Sequence, residues 1–150
     1  MPPDEAQPKL VLDASVAAKF WFDEDDSEFA IALQKRVTSL APDFLFVEVA
    51  SVAAKLVRRG LTTGDRAERA LREVGEVVDV WTPSPELSAR AYELARDHGV
   101  SVYDGLYLAL AETEGTAVLT ADARLVEKVR AAGLDHLVRP LSESDPSSQT

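Results

Sequence analysis

In Lys9-Leu10-Val11-Leu12-Asp13-Ala14-Ser15, three apolar residues run without a break into a carboxylate. A short apolar run of this kind is the mark of a strand buried on both faces. Asp13 then falls where the strand ends and a helix begins. In an open parallel sheet that edge is where ligands bind. A second unit, Ala117-Val118-Leu119-Thr120-Ala121-Asp122, has the same layout far down the chain. If the two strands are neighbours, Asp13 and Asp122 meet at one edge.

The chain has 150 residues, which fits one domain able to build a core without staples. It has no cysteine, which excludes disulfides, thiolate metal sites and cysteine nucleophiles. Residues 1–8 are Pro-rich and polar and lack a basic-then-apolar leader pattern, so they read as a flexible arm. No apolar run approaches a membrane span, and a cytoplasmic protein without membrane contact is expected. The formal charge is −10, from 16 Lys+Arg against 26 Asp+Glu. That argues against a nonspecific nucleic-acid binder, which carries a basic face. It does not exclude an enzyme acting on nucleic acid, because divalent cations in an acidic site invert its sign. The bases are also uneven: Lys55, Arg58, Arg59, Arg66, Arg69 and Arg72 fall in one stretch, opposed there by Asp65 and Glu68.

Outward from the first strand, Ser15–Phe22 reads as a short helix. The acids from Asp23 to Glu28 read as the start of a solvated helix, Phe29–Thr38, with Lys35 and Arg36 near its end. Leu40-Ala41-Pro42 is a short strand or turn. Asp43 is expected to cap a long helix from Phe44 to about Arg59, ended by Gly60. A basic helix, Asp65–Glu73, follows. Val77–Trp81 is a strand, Glu86–His98 a helix ended by Gly99, and Val102–Glu114 a helix capped by Ser101. Val118–Thr120 is a strand, Asp122–Ala132 a helix ended by Gly133, and Leu137–Arg139 a last short strand. The polar residues 141–150 are expected to form a flexible tail. Strands alternating with helices predict a mainly parallel, three-layer α/β fold of four or five strands over 9–140.

Four acids are badly placed for plain surface charges. Asp13 and Asp122 end buried strands; Glu48 and Asp104 interrupt the first turns of largely apolar helices. Each has a bland reading. Asp13 and Asp122 could cap the helices that follow, Glu48 could lie on a polar stripe with Ser51 and Lys55, and Asp104 could complete a capping box with Ser101. Taken together they could converge above one sheet edge. Two like charges about 4 Å apart repel by about 4 kcal/mol at an effective dielectric near ~20. Such a group protonates or recruits cations. With only hard oxygen ligands and no paired His or Cys, Mg²⁺ or Mn²⁺ is the fitting ion. Ser15 and Thr120 are expected to serve these acids as capping or bracing hydroxyls. His98 and His136 lack a paired nucleophile and read as surface residues.

At these residues the chain resembles the PIN-domain family, and specifically its VapC-type toxins. The resemblance rests on Val11–Val16 with Lys19-Phe20-Trp21, on Ala41-Pro42 followed by Glu48-Val49, on Tyr103–Ala111, and on Leu119–Leu125. It spans about Leu10 to Arg139. It implies strand order 3-2-1-4-5, which makes the first and fourth strands neighbours. It implies an Mg²⁺- or Mn²⁺-dependent endoribonuclease in which Asp13, Glu48, Asp104 and Asp122 bind metal and catalyse. It further implies an RNA substrate, a homodimer and a cognate antitoxin. The basic stretch from Lys55 to Arg72 would then contact RNA or the second subunit. Ser51 stands where such proteins often carry asparagine. Two other readings are open: a noncatalytic PIN-fold binding module, and a phosphotransfer α/β domain, although Ser15 stands where an aspartyl-phosphatase would carry its second acid.

Overall fold

The computed structural model describes residues 7–22 and 25–144. Most of the expected N-terminal arm (1–6), Asp23 and Glu24 of the acidic run, and 145–150 of the expected tail lie outside the described residues.

Five parallel strands form one sheet in the order β3-β2-β1-β4-β5: β1 Lys9–Leu12, β2 Thr38–Pro42, β3 Val80–Thr82, β4 Val118–Thr120 and β5 Val138–Pro140. The first strand is central. Val11 pairs with Leu40 on one side and with Val118 on the other. The alternation of a strand explains the layers. Val11 and Val118 enter the larger apolar cluster on one face, while Leu10, Leu12 and Leu119 enter a smaller one on the opposite face. Helices α3 (Leu45–Arg58), α4 (Gly64–Val77), α5 (Ser84–His98) and α6 (Val102–Glu114) supply apolar residues to the larger cluster. Helix α2 (Ser27–Gln34) contributes Ala30 and Leu33 to the smaller one. A three-layer arrangement is the result, in the strand order that the resemblance to PIN domains implies.

Several expected boundaries move, each because a distant partner outweighs local propensity. The expected helix Ser15–Phe22 is split: α1 covers Ala14–Ala17, and a 3₁₀ turn covers Ala18–Phe20. Helix α2 stops at Gln34, because the chain must be extended by Thr38 to pair with Lys9 of β1. Asp26 does not cap α2 with its side chain; it pairs with the buried Lys19 ammonium at 2.8 Å. Helix α4 runs on through Val77, so β3 begins at Val80 rather than Val77. The Asp79 carboxylate in between accepts from the backbone N–H of Ser39 at 2.8 Å, which anchors the entry to β3.

Asp43 is also corrected. Its carboxylate accepts the Ser84 hydroxyl and the Ser84 backbone N–H (2.9 Å), which hold it below the usual carboxylate range. The Ser84 oxygen in turn accepts from the Phe44 N–H at 3.2 Å. The start of α3 is thus tied by a serine that begins α5, forty residues away in sequence.

The expected tail begins later than residue 141. Leu141–Ser144 forms helix α8, and Leu141 is 1% exposed within the smaller cluster. Helix α7 (Ala123–Ala131) holds it from outside, with Arg130 donating to Glu143 at 2.9 Å. Leu141→Ala should cost about 2–5 kcal/mol, the range for emptying a buried leucine site. Urea unfolding checks this; a midpoint equal to that of the parent chain would mean the contact carries no stability.

Candidate active site

All four acids sit where strands hand over to helices or where helices begin. Asp13 follows β1 and is the N-cap of α1; its carboxylate accepts the Val16 N–H at 3.2 Å. Asp122 follows β4 and caps α7, accepting the N–H groups of Arg124 (2.9 Å) and Leu125 (3.3 Å). Glu48 lies in the first turn of α3, after β2, and Asp104 in the first turn of α6. The capping reading of Asp13 and Asp122 is therefore true, yet it accounts for only one oxygen of each: Oδ1 makes these bonds.

Because β1 and β4 are neighbours, the two strand ends are laced together. The Ser15 hydroxyl donates to Asp13 and itself accepts the Ala121 N–H at 2.9 Å. The Ser15 and Thr120 hydroxyl oxygens are 3.3 Å apart. Thr120 accepts the Asp122 N–H at 3.0 Å. These two hydroxyls thus fix the loops that carry Asp13 and Asp122.

The acids share one electrostatic field. Asp13 is 8% exposed, and burial pushes its carboxyl up to about 6, with the Asp122 charge adding to the rise. Bonds from Ser15, Thr120 and Val16 oppose it. Burial also raises Glu48, and the charges of Asp13 and Asp104 raise it further. Asp104 is raised by burial and by Asp122, against the Ser101 hydroxyl and the Lys128 ammonium. Asp122 itself is exposed at the rim. The four carboxylates are coupled through space, Glu48 to Asp13 and Asp104, and Asp122 to Asp13 and Asp104; among the described residues, no three acids or histidines form a group arranged to hold a metal ion.

Two neighbours were not singled out in the sequence. Tyr107, three residues beyond Asp104 on α6, is 2% exposed. Its hydroxyl is near enough to affect Glu48 but outside hydrogen-bond geometry, so it is buried without a hydrogen-bond partner among the described residues. The nearby acids and burial together push it far above the normal phenol range. Lys128 of α7 places its charge toward Asp104. The signal for Tyr107 was its i+3 spacing from Asp104; Lys128 had none, since only the fold brings its charge near Asp104. The six basic residues are elsewhere. Lys55, Arg58, Arg59, Arg66, Arg69 and Arg72 are all exposed along the outer parts of α3 and α4. Lys55 stands seven residues beyond Glu48, about 10 Å along the helix axis. Arg69 is paired with Glu73 at 2.8 Å.

A parallel 3-2-1-4-5 sheet with acids at the carboxyl ends of its central strands defines a class, and comparison with known proteins agrees. Residues 10–131 match the PIN domain, and the chain belongs to the PIN-domain family. Its similarity within that family is to VapC-type members. It is 39% identical to Ribonuclease VapC3 of Pyrobaculum aerophilum over 123 residues, covering 80% of this chain and 94% of the relative. It is 30% identical to Ribonuclease VapC3 of Mycobacterium tuberculosis over 124 residues, covering 82% and 89%. The crystal structure of PAE2754 from Pyrobaculum aerophilum superposes with a TM-score of 0.66 at 20% identity, covering 92% and 93%, a likeness of fold.

Proposed function

We propose that this chain is a divalent-metal-dependent endoribonuclease, the VapC-like toxin of a toxin–antitoxin pair. The observation that carries the reading is the mutual coupling of Asp13, Glu48, Asp104 and Asp122, in which the buried Asp13 and the half-buried Glu48 and Asp104 all have raised carboxyls. The similarity to two VapC ribonucleases supports the same activity.

The residues fit Mg²⁺ or Mn²⁺. The donors are all oxygen, and carboxylates that raise one another as Asp13, Glu48 and Asp104 do are eased as anions by positive charge beside them. The buried Tyr107 hydroxyl, without a hydrogen-bond partner among the described residues, is a donor on the Glu48 side that favours the ionised acid. Asp13, Asp104 and Asp122 would hold the principal ion, with Glu48 completing the set directly or through water. When bound, such an ion neutralises phosphate charge and lowers the pKa of a water. The chain's own part is positional. Ser15 and Thr120 keep Asp13 and Asp122 in register. Glu48 orients the attacking water and accepts its proton. Lys128 adds a positive charge on the Asp104 side of the cleft. The exposed bases of α3 and α4 serve longer RNA or a second subunit, and the partners would be RNA, a second copy and an antitoxin, in the cytoplasm. No helix among the described residues is long and apolar enough to cross a membrane.

Incubation with single-stranded RNA should give internal cleavage with Mg²⁺ or Mn²⁺ and none with EDTA. The same ions should raise the melting temperature. At 100-fold excess over Kd, binding adds about 2.7 kcal/mol, and Asp104→Asn should remove most of that gain. Absence of both cleavage and a melting shift with either ion would sink the assignment and favour the noncatalytic module.

A further inference from the structure

At the starts of the two helices that carry Glu48 and Asp104 lies an aromatic platform that the chemistry above does not use. Tyr103 immediately precedes Asp104, and Phe44 stands one helical turn before Glu48. Their rings stack, with centroids 5.1 Å apart and planes 14° from parallel. The pair therefore bridges the starts of α6 and α3, the two helices that deliver Asp104 and Glu48. Phe44 is partly buried against the larger cluster, whereas Tyr103 is 60% exposed. One face of the tyrosine ring is backed by a fixed ring and the other is open to solvent. Val102, next to Tyr103, and Val47, three residues beyond Phe44 on α3, are also exposed, at 43% and 58%.

We infer that Tyr103, supported by Phe44, is the stacking platform for an unpaired nucleobase next to the scissile phosphate. The inference rests on the RNA-cleaving reading and adds to it how the substrate is positioned. Three physical points lead to a base as the occupant. A ring held rigidly from behind offers a π-face at little entropic cost, and base–aromatic stacking is tolerant of sequence. The platform shares its helix starts with Asp104 and Glu48, so a base on it belongs to a nucleotide whose phosphate lies near these acids. The apolar area is that of a few side chains, small against the roughly 800 Å² per partner that a standard protein interface buries. Only an unpaired base can stack there, since bases within a duplex are already covered. Tyr103 is thus a positioning residue, selecting single-stranded segments at the cut.

The test uses full-length chain carrying Asp13→Asn, so that RNA is bound and not cut. Single-stranded oligoribonucleotides carry 2-aminopurine at successive positions in Mg²⁺. Its fluorescence should be quenched at one position, and Tyr103→Phe should preserve that quench. Tyr103→Ala should abolish it and weaken binding roughly 5- to 100-fold, the range for loss of one stacked base. A self-paired hairpin of the same sequence should show no quench. Unchanged quench and affinity in Tyr103→Ala would overturn the proposal, as would failure of the Asp13→Asn chain with Tyr103 intact to bind RNA. It would also fall if Tyr103→Ala dissociated a dimer and left RNA affinity intact, because the ring would then cover a second copy. The readout is independent of cleavage: if the unaltered chain cuts no RNA, the nuclease reading fails while Tyr103-dependent stacking still stands or falls by itself.

Discussion

Asp13→Asn should abolish RNA cleavage and, in the absence of divalent ions, make the protein more stable. The two effects have one cause. Asp13 is buried, and its carboxyl is raised from 3.8 to about 6. A raised carboxyl binds its proton more tightly in the folded chain than in the unfolded one. Stability from that proton is fully present below about pH 4 and is lost as pH rises through about 6. Two pKa units, at about 1.4 kcal/mol each, make the loss roughly 3 kcal/mol at neutral pH. Asparagine keeps an oxygen for the Ser15 and Val16 bonds and carries no charge, so it escapes the loss. In EDTA, the urea midpoint of the parent chain should fall between pH 4 and 7, and that of Asp13→Asn should fall less. Cleavage in Mg²⁺ should drop by about 10²–10⁴-fold, the range for loss of a positioned catalytic group. A mutant that is less stable at pH 7 would contradict the burial argument. One that still cleaves would remove Asp13 from the chemistry.

Gly105→Ala is the second large effect, and it acts through packing. An added Cβ at Gly105 would stand 2.8 Å from the Ala91 carbonyl oxygen and 3.1 Å from the Ala91 Cα. Both are backbone atoms of α5, so neither can swing aside. The two helices must separate or tilt, at a cost of about 1–3 kcal/mol. Alanine's better helix propensity returns about 1 kcal/mol at most. A net loss of about 1 kcal/mol, and at most about 2, lowers the melting temperature by about 2–8 °C for a chain of this size. Since α6 carries Asp104 one residue earlier, cleavage should fall as well. Gly64→Ala is the matched control: nothing lies within 4 Å of its added Cβ, so stability should hold or rise slightly. Equal melting temperatures for Gly105→Ala and the parent would mean α5 and α6 pack less rigidly than described.

The outline of the fold was legible because the strongest signals are local. The apolar triplet Leu10-Val11-Leu12 stops at a carboxylate, and Gly60, Gly99 and Gly133 each stand just past a helix, with φ of 69°, 71° and 76°. Boundaries failed where a partner far away in sequence intervened. Asp43 looks like a helix cap until Ser84 arrives to bond it. Residue 141 looks like the start of a tail until Leu141 is seen filling the smaller cluster.

For the site, residue type and placement on strand ends and helix starts marked the four acids, because a carboxylate in an apolar setting is costly without a purpose. What sequence alone determined is this local chemistry: which residues are acidic, and that each begins or ends an element. Tertiary structure decided the rest. Pairing β1 with β4 laces Asp13 to Asp122 through Ser15 and Thr120. Placing α6 beside α3 turns Tyr107 toward Glu48 and stacks Tyr103 on Phe44. Burial and mutual repulsion are properties of that assembled cleft. They depend on distances through space, which spacing along the chain does not encode.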